Sequence, residues 1–316
     1  MRGALLVLAL VVASVAGVLG AEPPASPPPA VPSGSGRVPE PADPRLQEAL
    51  QRYNRGTAAL QQRELESAVS QLRQAVRLDP ALGDAHHNLG IALLELRQPG
   101  PAVDAFQHAL ALNPDRVESR LGLAVALRDS GESARAIAEM VQILPRKADD
   151  PQLRLMLAGL YAKTGQSRAA AEQLREAARL QPNDARIRFQ LGLAAMEAGE
   201  LDWALEAFRT ATTLDPADAD AQYNLGVATG AKIRALVDEK VAAYRRVVEL
   251  KPDLADAHYQ LGVAYIQKAQ LGRVEEKRAL LRLALEEFRT FERSAPNDPK
   301  AATATHNIEV LEPQVK

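Results

Sequence analysis

191-LGLAAMEAGELDWALEAFRTATTLDP-216 reads as two helices and a stop. Small and apolar residues recur at helical spacing on both sides of Gly199-Glu200, and Pro216 ends the second run. Asp184 and Asp218 stand just before helical runs, where a side-chain oxygen can cap free backbone N–H groups. The closing proline is one of a series. Pro80, Pro114, Pro182 and Pro216 are spaced by 34, 68 and 34 residues, and the steps to Pro252 and Pro296 stretch to 36 and 44. A fixed period in this range marks a repeat architecture.

The residues between the prolines keep register. Leu89-Gly90, Leu191-Gly192, Leu225-Gly226 and Leu261-Gly262 lie on first helices, and Tyr161 and Tyr265 fill an aromatic place on them. Ala102/Phe106, Ala204/Phe208 and Ala284/Phe288 mark second helices, with weaker versions at Ala68/Leu72, Ala136/Met140 and Ala170/Leu174. This pattern resembles the tetratricopeptide repeat (TPR). The resemblance implies an all-α, right-handed superhelical solenoid of about seven TPR helix-turn-helix units. They begin near 49, 83, 117, 151, 185, 219 and 255 and run over 45–298, with a capping helix and tail over 299–316. In each unit, small residues such as Gly90 and Ala102 let two helices approach, and Phe106 or Phe208 fills the space beside them. One pair cannot bury its apolar face alone, so the units must stack. Ala301, Ala304, Ile308 and Leu311 give the last helix the apolar side that a cap needs.

Three units break the beat. The third carries Leu144-Pro145 and has Ala148 where a proline is due, so its second helix should end early. The sixth gains two residues between Gly226 and Pro252, and the seventh gains ten around 271-LGRVEEKRAL-280. Ten helical residues add about 15 Å, enough for a projecting hairpin that is either a docking element or a tolerated extension.

The N-terminus reads as an address. Arg2, an apolar run from Ala4 to Leu19 and the small pair Gly20-Ala21 give residues 1–20 the form of a secretory signal peptide. The alternative is an inner-membrane anchor over residues 3–21. Residues 21–44 then form a linker with nine prolines, which favours extended or disordered chain over a packed core. The expected location is therefore exported, periplasmic or extracellular, with membrane contact only if the first segment is retained.

Composition narrows the function. The 38 basic and 40 acidic side chains leave a net charge of −2, which argues against a nucleic-acid partner. The chain has no cysteine, so disulfides, thiolate nucleophiles and cysteine zinc sites are excluded. No His-Glu-x-x-His, phosphate-binding loop or nucleophile elbow occurs. His86 and His258 share one place in their repeats, which suits packing better than catalysis. The sequence predicts a non-enzyme without cofactor or metal.

The resemblance implies a concave groove lined by first helices. Two adjacent rows fall there: Tyr53, His87, Leu121, Leu155, Phe189, Tyr223 and Tyr259, then Asn54, Asn88, Gly122, Met156, Gln190, Asn224 and Gln260. Amides can bond a peptide backbone with donor and acceptor together, and the aromatics beside them offer apolar area. The candidate groove residues are Tyr53, Asn54, His87, Asn88, Phe189, Gln190, Tyr223, Asn224, Tyr259 and Gln260. Neither row holds a lysine or arginine, which argues against the family's carboxylate clamp. A third row, Arg52, Arg120, Arg154 and Arg188, either meets an acidic partner or packs along the edge of the repeats. The expected task is non-catalytic protein or peptide binding as an envelope scaffold or adaptor. The rival is an accessory of a wall or polysaccharide machine that binds glycan.

Overall fold

The computed structural model of the chain describes residues 43–315. The expected signal segment and residues 21–42 of the linker lie outside them. The described residues form fourteen helices: α1 (Pro44–Gln61), α2 (Leu65–Leu78), α3 (Gly83–Glu95), α4 (Pro99–Leu112), α5 (Val117–Asp129), α6 (Ser133–Ile143), α7 (Pro151–Lys163), α8 (Ser167–Leu180), α9 (Ala185–Glu197), α10 (Leu201–Leu214), α11 (Ala219–Leu250), α12 (Ala255–Leu271), α13 (Val274–Ser294) and α14 (Ala301–Val315). The fold is all-α and repetitive, as the proline series predicts. Contacts divide it into two compact units, one ending at Ala198 and the other beginning at Gly199.

In the first unit, α1/α2, α3/α4, α5/α6 and α7/α8 are successive packed pairs, and α9 follows on α8. The close approach expected at the Leu-Gly sites is present. A Cβ added at Gly90 would lie 2.7 Å from Phe106, and one at Gly122 would lie 2.5 Å from the same ring. Phe106 is therefore wedged between its own first helix, α3, and the next, α5. Leu72 plays that part against Gly56.

The turns repeat as strictly as the prolines. Arg63, Arg97, Gly131 and Gly165 all have positive φ, between 59° and 88°, and Gly199 begins the second unit with φ 76°. Each stands 34 residues after the one before. The residue after each turn sends its N–H back to a carbonyl five residues earlier, as in Glu64 to Ala59 (2.9 Å), Gln98 to Leu93 (2.9 Å), Glu132 to Leu127 (2.8 Å) and Gln166 to Tyr161 (2.8 Å). That bond and the left-handed residue before it are the usual means of ending a helix. α6 is short, stopping at Ile143 before Pro145, as expected. The seven residues that follow reach Asp150, whose carboxylate caps α7 by accepting from Gln152 and Leu153 N–H.

In the second unit, the helix pair expected over 219–254 is replaced by one unbroken helix, α11, of 32 residues. The next turn in the series would fall at position 233, which is Ile233 followed by Arg234. A β-branched residue is a steric outlier in the left-handed region, so the helix does not stop there. α11 packs on α10 on one side and on α12 on the other. α12 and α13 form the lengthened seventh pair, and α14 packs on α13 with Ala304, Ile308 and Leu311 buried. The tip of that pair, residues 270–279, is exposed. No described helix is long and apolar enough to cross a membrane.

Candidate binding face on the first helices

The three rows have different fates. In the arginine row, side chains reach back six residues to the end of the preceding repeat. Arg120 donates to the Pro114 carbonyl (2.7 Å) and Arg154 to the Ala148 carbonyl (3.0 Å). The histidines at the same place do likewise, with His86 3.1 Å from the Pro80 carbonyl and His258 2.9 Å from that of Pro252. The same side chains also reach their own second helix, nineteen residues on: Arg52 to Gln71 (3.4 Å), Arg120 to Glu139 (2.8 Å) and Arg154 to Gln173 (3.0 Å). His258 meets Glu287 at 2.6 Å, the same place after the ten-residue insertion. Arg188 instead reaches the Ala178 carbonyl, ten residues back (3.3 Å), so the row ties repeat joints together in more than one way. Burial holds the His86 imidazole below its usual pKa, against the pull of the Pro80 hydrogen bond, and the neighbouring His108 pushes the same way as burial.

The aromatic and amide rows are not a continuous ladder in the first unit. Tyr53, His87 and Asn88 are closed inside. Asn88 donates to Thr57 Oγ1 (3.0 Å) and His87 Nδ1 lies 2.9 Å from Ser119 Oγ, so these side chains link α1, α3 and α5. The expected availability of Tyr53, His87 and Asn88 to a ligand is thus corrected. A buried amide or imidazole needs a partner, and here first helices supply it to one another. Asn54, Leu155, Phe189 and Gln190 are half-buried.

In the second unit, Tyr259 is half-buried against Phe288 and Phe291, with ring centroids 5.7 and 5.2 Å away, and Lys300 lies over its face. Gln260 beside it is also half-buried. Asn224 turns back to the Asp220 carbonyl on its own helix (2.8 Å). Tyr223 is 71% exposed, whereas Tyr53 at the same place in α1 is 1% exposed. The identity of the residues in the rows does not reveal this difference. The signal that does is the left-handed turn series failing at Ile233.

Family models described as tetratricopeptide repeat match residues 53–100, 93–160, 155–219 and 191–228, and one described as TPR repeat matches 238–268. The chain belongs to the tetratricopeptide repeat family. The matches to this TPR protein stop at 228 and resume at 238, leaving the middle of α11 unmatched. Among solved structures it is similar to YrrB, described as a TPR protein with an unusual peptide-binding site, at 19% identity and TM-score 0.51, covering 56% of this chain and 91% of that one. It is similar also to the MamA protein, at 18% identity and TM-score 0.50, covering 55% and 94%. These likenesses concern the fold. No curated protein is significantly similar to the chain.

Proposed function

We propose that this TPR protein is a non-catalytic scaffold of the cell envelope that holds an extended segment of a protein partner on its first-helix face. The observation that carries the reading is the pair Phe189-Gln190 on α9. Both are half-buried, while the matching His87-Asn88 on α3 are closed inside. A half-open aromatic edge beside an amide offers apolar area and a backbone-matching donor and acceptor together. The peptide-binding site described for YrrB supports the same use of the fold. The envelope location rests on the leader sequence, 1–20, and the proline-rich linker after it.

The test is site-specific photo-crosslinking in native envelopes, with the reactive side chain at 189 or 190 and controls at 87 and 88. A protein crosslinked at 189 and 190 and absent from the controls is expected. Recovery of glycan alone selects the wall-accessory reading, and no product at either position rejects the groove. N-terminal sequencing of the mature protein tests the address: a start at Ala21 or Glu22 is expected, and an intact Met1 overturns cleavage.

A further inference from the structure

The sixth repeat contains both helices of a TPR hairpin but does not form one. Its first-helix motif, Leu225-Gly226, lies in the first half of α11. Tyr244 stands eight residues before Pro252, the place that Phe208 holds before Pro216 and Phe106 before Pro114, and it lies in the second half. A continuous helix about 48 Å long cannot fold the second half onto the first.

The missing contact is visible at the glycines. A Cβ at Gly90 meets Phe106 at 2.7 Å and one at Gly262 meets Phe288 at 3.0 Å, but one at Gly226 meets nothing within 4 Å. Leu89, Leu191 and Leu261 are buried, whereas Leu225 is half-buried and Gly226 exposed. Ile233, two turns on from Gly226 and on the same face, continues this open side at 45% exposure. Each half of α11 is otherwise seated. Lys232 pairs with Asp202 of α10 (2.8 Å), and Asp238 pairs with Lys268 of α12 (2.6 Å).

We propose that α11 is the opened hairpin of a domain-swapped dimer, in which the first half of α11 from one copy receives the second half from another. The occupant is fixed by the repeat itself. The segment shaped to cover Gly226 is the one carrying Tyr244, and α11 keeps its own copy out of reach. Setting Gly226 opposite Tyr244 in an antiparallel pair places the two-fold axis near residue 235. Ile233 then faces Val237 of the other copy where other repeats turn. Exchange of an identical element between copies is a low-cost route to a closed two-fold dimer.

Sedimentation velocity of the full chain tests the proposal directly. A dimer is expected at micromolar concentration, and a chain that stays monomeric throughout overturns it and leaves the open side to a different partner. Ile233→Asp with Leu236→Asp changes only exposed positions, so folding should survive; loss of the dimer is expected, and an unchanged dimer overturns the proposal. Ile233→Gly with Arg234→Glu restores the Gly-Glu turn found at 131–132 and 199–200. It should give a monomer of unchanged helical content; a persistent dimer counts against the swap.

Discussion

The second and sixth repeats start alike, with Leu89-Gly90 and Leu225-Gly226, and both close on a proline. One is a hairpin, α3/α4, and the other is the single rod α11. The difference lies in two residues at the turn. Arg97 adopts the left-handed conformation, with φ 59°, and Gln98 after it returns an N–H to the Leu93 carbonyl. Ile233-Arg234 stays helical. Apolar periodicity therefore chooses helix in both repeats, while turn chemistry decides whether the helix doubles back. A turn residue that tolerates positive φ costs about 1–2 kcal/mol when it is not glycine. The second repeat recovers that cost through Phe106, which the sixth cannot do within one chain.

The largest expected effect tests that recovery. Phe106 is fully buried between Gly90 and Gly122, so Phe106→Ala should lower the unfolding free energy by about 3–5 kcal/mol in denaturant titration. Tyr244→Ala should cost clearly less when measured in the Ile233→Asp/Leu236→Asp background, because Tyr244 is only half-buried in one chain. Equal losses would mean that the sixth repeat is closed after all.

Next in size is the pair of glycines. Gly90→Ala forces a methyl group to within 2.7 Å of the Phe106 ring and should cost about 1–3 kcal/mol. Gly226→Ala in the same Asp background meets no neighbour and should stabilise by up to about 1 kcal/mol through helix propensity alone. Thermal unfolding of the two variants should therefore move in opposite directions.

Much of this is legible in the sequence, and for definite reasons. The 34-residue proline step, Ala-x-x-x-Phe and Leu-Gly record packing that most units share, so they place the helices and pair them wherever a turn follows. Pro145 forecasts the early end of α6 because proline cannot continue a helix. The sixth repeat reads as a hairpin because Leu225-Gly226 and Pro252 keep the register, although Lys240 stands in the place of Ala102 and Ala204 and the turn is altered. Arg63 and Arg97 hide the turn rule, since arginine does not advertise positive φ as Gly131, Gly165 and Gly199 do. The groove rows are half legible. Sequence places Asn88 on a first helix but does not show that Thr57, 31 residues earlier, takes up its amide. Arg97→Gly probes the hidden rule. It should stabilise α3/α4 by about 1 kcal/mol without changing the fold, read from the shift in denaturation midpoint.

The smallest expected effect concerns how joints are tied at the two ends of that comparison. The second repeat uses His86 where the third and fourth use Arg120 and Arg154, all bonding a carbonyl six residues back. The carbonyl only accepts, so His86 Nε2 carries the hydrogen, and the neutral ring suffices for the bond. Burial and His108 together hold the folded pKa below the unfolded value of about 6.5. The unfolded chain therefore takes up a proton first as pH falls. The joint's contribution is complete above about pH 6.5 and is lost as pH falls toward the folded pKa. His86→Arg keeps a donor for the Pro80 carbonyl and removes the titration. The unfolding midpoint of the wild type should fall faster than that of His86→Arg as pH drops below about 6.5. Parallel profiles would show that the joint at Pro80 does not depend on a neutral imidazole.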